Sequence, residues 1–172
     1  MAVVVDTNVP KTANGDATGQ TPAACVRACI ATLRRIQQGE LLVLDSGWRI
    51  INEYKGQLRA SGQPGVGDAF LKWVLTNWKN PRRCVLVSIT EDAKRNTFVE
   101  FPDDPALAGF DPADHKFVAV ALAHPERPHI RNATDTDWWH YRKRLAAHGI
   151  VVEFLCRRTM VRSEAIDRTR SG

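Results

Sequence analysis

No long hydrophobic run occurs in this chain. Within its 172 residues, no apolar stretch approaches the roughly 20 residues that a membrane-spanning helix needs. The N-terminus enters the run Val3-Val4-Val5 without the basic region and cleavage site of a secretory signal. These absences argue against a helical membrane protein and predict a cytosolic one. Internal repeats and low-complexity segments are also missing, and the length suits one compact domain.

Cysteine and histidine are sparse and lack ligand spacing. The four cysteines are Cys25, Cys29, Cys84 and Cys156, and the first two lie one helical turn apart on an apolar face. A structural zinc site usually has closer Cys or His pairs, so the cysteines are interpreted as core residues. The five histidines form no HExxH pair or similar pattern, and none is assigned a catalytic role.

Acidic residues are outnumbered by basic ones. The chain has 24 Lys and Arg against 19 Asp and Glu, which gives a formal net charge of +5. Such an excess favours a polyanionic partner such as nucleic acid, although a solvated basic surface would explain it too. The candidate phosphate-binding residues are Arg82, Arg83, Arg142, Lys143, Arg157 and Arg158. The last two begin a basic tail over residues 156–172, which follows a domain predicted over residues 1–155.

Apolar runs alternate with amphipathic stretches along the chain. Strands are predicted over residues 3–5, 41–44, 84–89, 129–133 and 150–155, and helices over about 22–38, 48–58, 68–78, 115–123 and 138–148. Thr21 is expected to cap the first helix, and residues 11–20 are predicted to form a polar loop. The alternation predicts an α/β fold, a three-layer α/β/α sandwich with a mostly parallel, Rossmann-like sheet.

Four acidic residues stand where predicted strands end or helices begin. They are Asp6, Glu53, Asp114 and Asp135. Open α/β sheets bind ligands at the carboxyl ends of their strands, so folding can bring these acids together. Their mutual repulsion would be tolerable with a bound cation, and hard carboxylate oxygens suit Mg²⁺ or Mn²⁺. The pattern predicts a metal-dependent hydrolase that acts on phosphate.

The segments that carry these acids resemble the PIN-domain nucleases. The matching pieces are Val-Val-Val-Asp6-Thr-Asn8, Ile-Asn-Glu53-Tyr, Asp111-Pro-Ala-Asp114-His-Lys-Phe-Val-Ala-Val-Ala, and Asn-Ala-Thr-Asp135-Thr-Asp137-Trp. In order and spacing they span roughly residues 1–155. The resemblance implies a Rossmann-like sandwich, an Mg²⁺ or Mn²⁺ site and endonucleolytic cleavage of single-stranded or structured RNA.

The resemblance also implies a role for each acid. Asp6 would be the central metal ligand, Asp114 and Asp135 would contact the metal directly or through water, and Glu53 would bind or orient water on the other side. Asn8 and Asp137 would support this set, with Asp135 preferred to Asp137 as ligand because it lies nearer the strand end. Attack by metal-activated water would leave a 5′ phosphate and a 3′ hydroxyl.

Other interpretations stay open. Asp111, Asp114 and Asp135 each occupy positions where acids cap helices, and Asp111 is expected to be the cap of the helix that begins near residue 115. We expect a cytoplasmic endoribonuclease of the toxin or defence-effector type, with RNA as substrate, a protein inhibitor or defence-system partner, and a homodimeric state that the resemblance suggests. The alternatives are a structure-specific DNA nuclease of the same fold and a catalytically silent PIN-like module that binds RNA or protein.

Overall fold

The computed structural model describes residues 1–15, 20–62 and 64–161. A five-stranded, all-parallel sheet contains β1 (Ala2–Val5), β2 (Leu41–Asp45), β3 (Cys84–Val87), β6 (His129–Asn132) and β7 (Val152–Phe154), and a separate antiparallel ribbon pairs β4 (Glu91–Asp92) with β5 (Thr97–Phe98). The helices are α1 (Asn8–Ala13), α2 (Ala23–Gln38), α3 (Arg49–Gln57), α4 (Val66–Asn77), α5 (His115–Ala123) and α6 (Thr136–Ala147). No helix in these ranges is long and apolar enough to cross a membrane.

The strand order β3-β2-β1-β6-β7 explains how the helices cover the sheet. The chain first adds β2 and β3 on one side of β1, and it later adds β6 and β7 on the other side. Because parallel crossovers are right-handed, α1 to α4 cover one face and α5 and α6 cover the opposite face. Every residue of β1 is therefore buried, which suits its β-branched run. The predicted three-layer α/β/α sandwich is confirmed.

The change of direction at β1 creates a topological switch point. Here β1 lies between β2 and β6, and the three strands end at the same edge, which we call the carboxyl edge. Open α/β sheets bind ligands in the crevice outside such a point. Asp45 at the end of β2 accepts hydrogen bonds from the backbone N–H groups of Arg49 and Ile50 at 2.8 Å each, so it starts α3 at this edge.

Two local predictions near the N-terminus are wrong. Residues 11–13, predicted to be loop, belong to α1, whose Val9, Pro10 and Ala13 are buried. Its packing against α2 and α4 explains why a polar sequence becomes helical, since tertiary contact overrides local propensity. Thr21 does not cap α2, because Pro22 occupies the cap position without a side-chain hydrogen bond.

Close packing of α4 on α1 requires a glycine. A Cβ atom at Gly67 would lie 1.9 Å from the backbone oxygen of Pro10, a distance that no side chain can tolerate. The first turn of α4 is further fixed by Asp68, whose carboxylate accepts the backbone N–H of Gly65 at 3.1 Å and the side-chain amide of Asn14 at 3.0 Å. These contacts hold α1, the short helix that leads away from the carboxyl edge.

All four cysteines are buried, as predicted, and two of them are paired. Cys25 near the start of α2 forms a disulfide with Cys156, which follows β7, across a sequence separation of 131 residues. Cys29 and Cys84 are free thiols. Met160 is 1% exposed, so the beginning of the segment predicted as a tail packs against the domain. Arg162 and the residues after it lie outside the described ranges.

Reduction of the disulfide should lower thermal stability. Closing a loop of this length restricts the unfolded chain, an effect of up to about 5 kcal/mol in the chain-entropy treatment. We expect the melting temperature to fall by about 5 to 15 °C when the protein is reduced. Circular dichroism melts with and without a phosphine reductant measure the shift.

Two cysteine variants are matched controls for this experiment. Cys156→Ala should melt at the lower temperature whether or not reductant is present, because neither Cys25 nor Cys29 can then close the long loop. Cys84→Ala should keep the response to reductant. An unchanged melting temperature in the parent protein, under conditions where alkylation shows that Cys25 and Cys156 are free, would contradict the assigned stabilisation.

Candidate active site

Asp6 lies at the switch point, directly after β1, and is only 4% exposed. Its Oδ1 accepts the backbone N–H of Asn8 at 2.7 Å, whereas its Oδ2 is buried without a hydrogen-bond partner. The pKa of the carboxyl group is raised to about 7, mainly by burial and also by the charges of Asp135 and Glu53, against the opposing effects of Asn8 and Lys116. An unpaired buried carboxylate oxygen is costly unless a proton or a cation compensates it.

Asp114 ends the short 3₁₀ helix Pro112–Asp114 that leads into α5. Its pKa is raised to about 8, mainly by burial and further by the charges of Asp6, Asp135 and Asp111. Asp114 occupies the cap position of α5, but its side chain makes no capping hydrogen bond. Asp111 caps the preceding 3₁₀ helix, and not α5 as predicted, by accepting the backbone N–H of Ala113 at 2.9 Å. Asp114 lies close to Asp6, whose charge contributes to its raised pKa.

Asp135 and Asp137 have different surroundings. Asp135 caps α6 by accepting the backbone N–H of Asp137 at 2.8 Å through Oδ1, and its charge acts on both Asp6 and Asp114. The Oδ2 of Asp137 instead accepts the backbone N–H of Asp111 at 2.8 Å and ties the two loops together. Asp135 is therefore both a helix cap and a member of the acidic cluster, which we define as Asp6, Asp114 and Asp135.

Glu53 reaches the acidic cluster from α3, but both of its carboxylate oxygens are engaged. Oε1 accepts the hydroxyl of Thr7, and Oε2 forms an ion pair with the Nζ of Lys116. Lys116 also donates to the backbone oxygen of Ala113, and its side chain is only 12% exposed. A nearly buried ammonium group thus neutralises part of the negative charge at the site.

Two neutral side chains hold the site together. The Oδ1 of Asn8 accepts the backbone N–H of Ala133 at 2.8 Å, which joins the end of β1 to the end of β6. The hydroxyl of Tyr54, buried in the core, donates to the backbone oxygen of Val5 at 2.6 Å and fixes α3 beside the same strand. Asn8 is a positioning residue here, because it ties the start of α1, next to Asp6, to the loop after β6 that leads to Asp135.

His115 has a structural role despite its place beside Asp114. Its Nε2 lies 3.1 Å from the carbonyl oxygen of Phe110, which can only accept a hydrogen bond. Its Nδ1 lies 2.7 Å from the hydroxyl of Thr97. The ring stacks on Phe101 with centroids 3.8 Å apart. Burial lowers its pKa, which favours the neutral form with the proton on Nε2. Both ring nitrogens are thus engaged, and the histidine does not act on the acidic cluster.

The structure separates the predicted phosphate-binding residues into groups. Arg82 and Arg83 precede β3 and so lie at the amino edge of the sheet, where Arg83 donates to the backbone oxygen of Gln37 at 3.0 Å. Strands of four residues place that edge about 13 Å from the carboxyl edge. Arg157 and Arg158 follow β7 and are exposed at the carboxyl edge. Arg142 and Lys143 lie on α6, where the guanidinium group of Arg142 stacks over Trp139 at 3.9 Å.

A divalent cation fits the chemistry of the acidic cluster. The three residues supply hard carboxylate oxygens, one of them the unpaired Oδ2 of Asp6. In the described part of the chain, however, no three carboxylates place oxygens all within 4.8 Å of one another. Lys116 explains how the acids are tolerated in this arrangement, because it supplies the counter-charge through Glu53.

Sequence reasoning did not identify Thr7, Lys116 and Tyr54. Thr7 and Tyr54 adjoin Asp6 and Glu53, and Lys116 follows Asp114 by two residues, so proximity along the chain was the available signal. The reach of Lys116 from α5 to Glu53 on α3 depends on how these two helices pack, which no local pattern encodes.

Comparison with protein-family models, curated proteins and solved structures gave no match for this chain. The site is therefore interpreted from its own residues.

The stability of the metal-free protein should depend on pH through Asp114. Its pKa is about 8 in the folded protein against an ordinary value of 3.8, so the folded state binds this proton more tightly than the unfolded state. The contribution to stability is present at low pH, falls as pH rises from about 4 to about 8 and is lost above that. Asp114→Asn should consequently gain stability over the parent across this window and keep a constant advantage above it. Urea titrations in a chelator measure the difference, and an advantage independent of pH would contradict the assignment.

Removing the charge of Lys116 should strengthen binding of Mn²⁺. The ammonium group and a divalent cation compete for the same negative charge, so Lys116→Gln should bind Mn²⁺ about tenfold more tightly by calorimetry while its metal-free form melts at a lower temperature. Lys72→Gln, on the exposed face of α4, makes the same change in net charge and should alter neither quantity. Equal affinity in the two variants would show that Lys116 does not oppose the cation.

Proposed function

We propose that this protein is a divalent-metal-dependent endoribonuclease that hydrolyses RNA phosphodiester bonds. The observation that carries the proposal is the gathering of Asp6, Asp114 and Asp135 at the switch point, where the pKa values of Asp6 and Asp114 are raised to about 7 and 8. Ionisable groups perturbed by burial and by one another in a ligand-binding crevice are typical of functional sites. The resemblance of the four segments to PIN-domain nucleases supports the same reading.

The acidic cluster would hold the cation. Asp6 offers its unpaired Oδ2, and Asp114 and Asp135 face it from α5 and α6. Mg²⁺ or Mn²⁺ would supply the positive charge that offsets the phosphate and lowers the pKa of a water molecule. The raised pKa values mean that cation and proton compete for the same oxygens near neutral pH.

The chain's own residues prepare the site around this cluster. Asn8 holds the loop after β6 against the start of α1, and Asp137 holds the Asp111 loop against α6. Glu53 is positioned by Thr7 and Lys116, so a role in orienting water requires that it exchange at least one of these partners. Lys116 would place a cationic group beside the anionic substrate, which favours its approach to an otherwise acidic pocket.

RNA is the proposed substrate because basic charge accompanies the acids at the same edge. Arg157 and Arg158 are exposed after β7, and the whole chain carries a net charge of +5. Contacts of this kind bind the phosphate backbone without reading its sequence. Together with the resemblance to the PIN-domain nucleases, they support a cytoplasmic toxin or defence effector that acts with an inhibitor or system partner and as a homodimer.

One observation favours a second candidate, a catalytically silent module that binds RNA or protein. Lys116 and Thr7 occupy both oxygens of Glu53, and the carboxylates are not clustered within 4.8 Å. In this alternative, Lys116 would replace the cation permanently and the acids would serve as helix caps and structural charges. The two candidates differ in whether added Mn²⁺ raises the thermal stability of the protein and permits cleavage of RNA.

Cleavage assays on labelled RNA and single-stranded DNA, with Mn²⁺ or with excess chelator, test the proposal. We expect metal-dependent cleavage of RNA, products with 5′ phosphates, and a rate lower by about a hundredfold or more in Asp6→Asn and Asp114→Asn. Preferred cleavage of DNA would favour the alternative substrate, and cleavage in excess chelator by metal-free protein would overturn the metal requirement.

Asp111→Asn is the matched control for these variants. It makes the same change three residues before Asp114, and Asn caps helices about as well as Asp, so activity and stability should be retained. If the parent neither cleaves nor gains thermal stability with Mn²⁺, the silent module replaces the proposed enzyme.

A further inference from the structure

Three sulfur atoms meet at the start of α2, away from the acidic cluster. The Sγ atoms of Cys25, Cys29 and Cys156 all lie within 4.8 Å of one another, and Cys25 and Cys156 are joined as a disulfide. Cys25 and Cys29 are one helical turn apart and so present both sulfurs to Cys156. A thiolate this close to a disulfide sulfur can exchange with it, provided that one sulfur is reachable from solvent.

The disulfide borders an open pocket of about 600 Å³. Cys25 and Cys156 line this pocket and retain 4% and 6% exposure, whereas Cys29 is fully buried behind them. Among the described residues of its lining, the only charged side chains are Arg157 and Arg158. The pocket is therefore sized for a small molecule and is positively charged beside a reactive bond.

We infer that this pocket is a site of thiol–disulfide exchange with a low-molecular-weight thiol that carries carboxylate groups. Arg157 and Arg158 adjoin Cys156 and would hold the carboxylates, which directs the incoming sulfur to the Sγ of Cys156. The inference does not rest on the proposed nuclease function, because it is argued from the disulfide and its pocket. Arg157 and Arg158 are shared with the proposed RNA-binding residues.

The exchange balances without any further oxidant or reductant. The external thiolate forms a bond to Cys156 while the Cys25–Cys156 bond breaks, and the electron pair leaves on Cys25. Cys25 then takes the proton of Cys29, and the resulting Cys29 thiolate attacks the protein sulfur of the mixed disulfide and releases the external thiolate. The disulfide has moved to Cys29 and Cys156, and Cys25 is left as a thiol beside the pocket.

Burial explains why Cys29 needs its neighbour for this step. The apolar surroundings raise the pKa of the Cys29 thiol to about 12, so it stays protonated near neutral pH. A Cys25 thiolate formed within 4.8 Å of Cys29 is placed to accept this proton. With excess external thiol, a second thiolate would instead attack the small-molecule sulfur of the mixed disulfide. This step would release the oxidised small molecule, with Cys156 as the leaving thiolate, and would leave all three protein thiols reduced.

Reaction of the oxidised full chain with glutathione tests the inference, with cysteamine as a cationic thiol of opposite charge. After quenching by alkylation, peptide mapping identifies which cysteines are paired, free or carry glutathione. We expect substoichiometric glutathione to produce the Cys29–Cys156 disulfide and an alkylated Cys25, about tenfold faster than cysteamine at low ionic strength. Equal rates for the two thiols would overturn the assignment of an anionic ligand.

Variants separate the steps. Cys29→Ala should accumulate glutathione on Cys156 severalfold above the parent, because the thiol that resolves the mixed disulfide is missing. Cys84→Ala removes the other buried thiol and should behave as the parent does. The double variant Arg157→Ala with Arg158→Ala should react more slowly with glutathione, and its reaction with cysteamine should be unchanged or faster.

Because the parent alone reports the migration of the disulfide, the test does not depend on the stability of any variant. No migration in the parent, or equal adduct in parent and Cys29→Ala, overturns the inference.

Discussion

Repulsion between the buried carboxylate of Asp6 and the neighbouring carboxylates of Asp114 and Asp135 is the constraint that organises the carboxyl edge. Each lies there because a parallel strand or its following helix begins or ends at that point, so the fold itself forces the charges together. The opposing attraction comes from Lys116, which pairs with Glu53 beside the cluster. Burial, and to a lesser extent the neighbouring carboxylates, raise the pKa values of Asp6 and Asp114, and a cation that enters the site offsets both effects.

The layers of the fold were predictable because the responsible patterns are local. Val3 to Val5 form a β-branched run that only a strand buried on both faces accommodates, and α5 has the predicted bounds of residues 115–123. The β4–β5 ribbon was not predicted, because contacts specific to this loop hold it. Arg95 pairs with Asp92 at 2.6 Å and donates to the backbone oxygen of Phe98 at 3.0 Å, and Glu100 accepts the backbone N–H of Thr90. No periodicity in the sequence marks a loop that is held by such contacts.

The candidate site was likewise predictable only in part. The sequence predicts that Asp6, Asp114 and Asp135 gather, because strand ends share an edge whatever the details of packing. The sequence does not predict where the basic residues lie relative to the site, since an arginine on the surface carries no periodic signal. Arg83, for example, lies at the opposite edge of the sheet. The pairing of Cys25 with Cys156 spans 131 residues and follows only from the completed tertiary structure.

The disulfide has a consequence for charge at the carboxyl edge. An acidic pocket repels a polyanion, so a nuclease of the proposed kind needs fixed positive charge nearby. Arg157 and Arg158 directly follow Cys156, and the covalent bond to Cys25 holds this segment against α2. In turn α2 packs on α1, which begins at Asn8 beside the acidic cluster. One continuous set of contacts therefore joins the carboxylates to the arginines, and the thiol chemistry of Cys156 acts on the basic half of that arrangement.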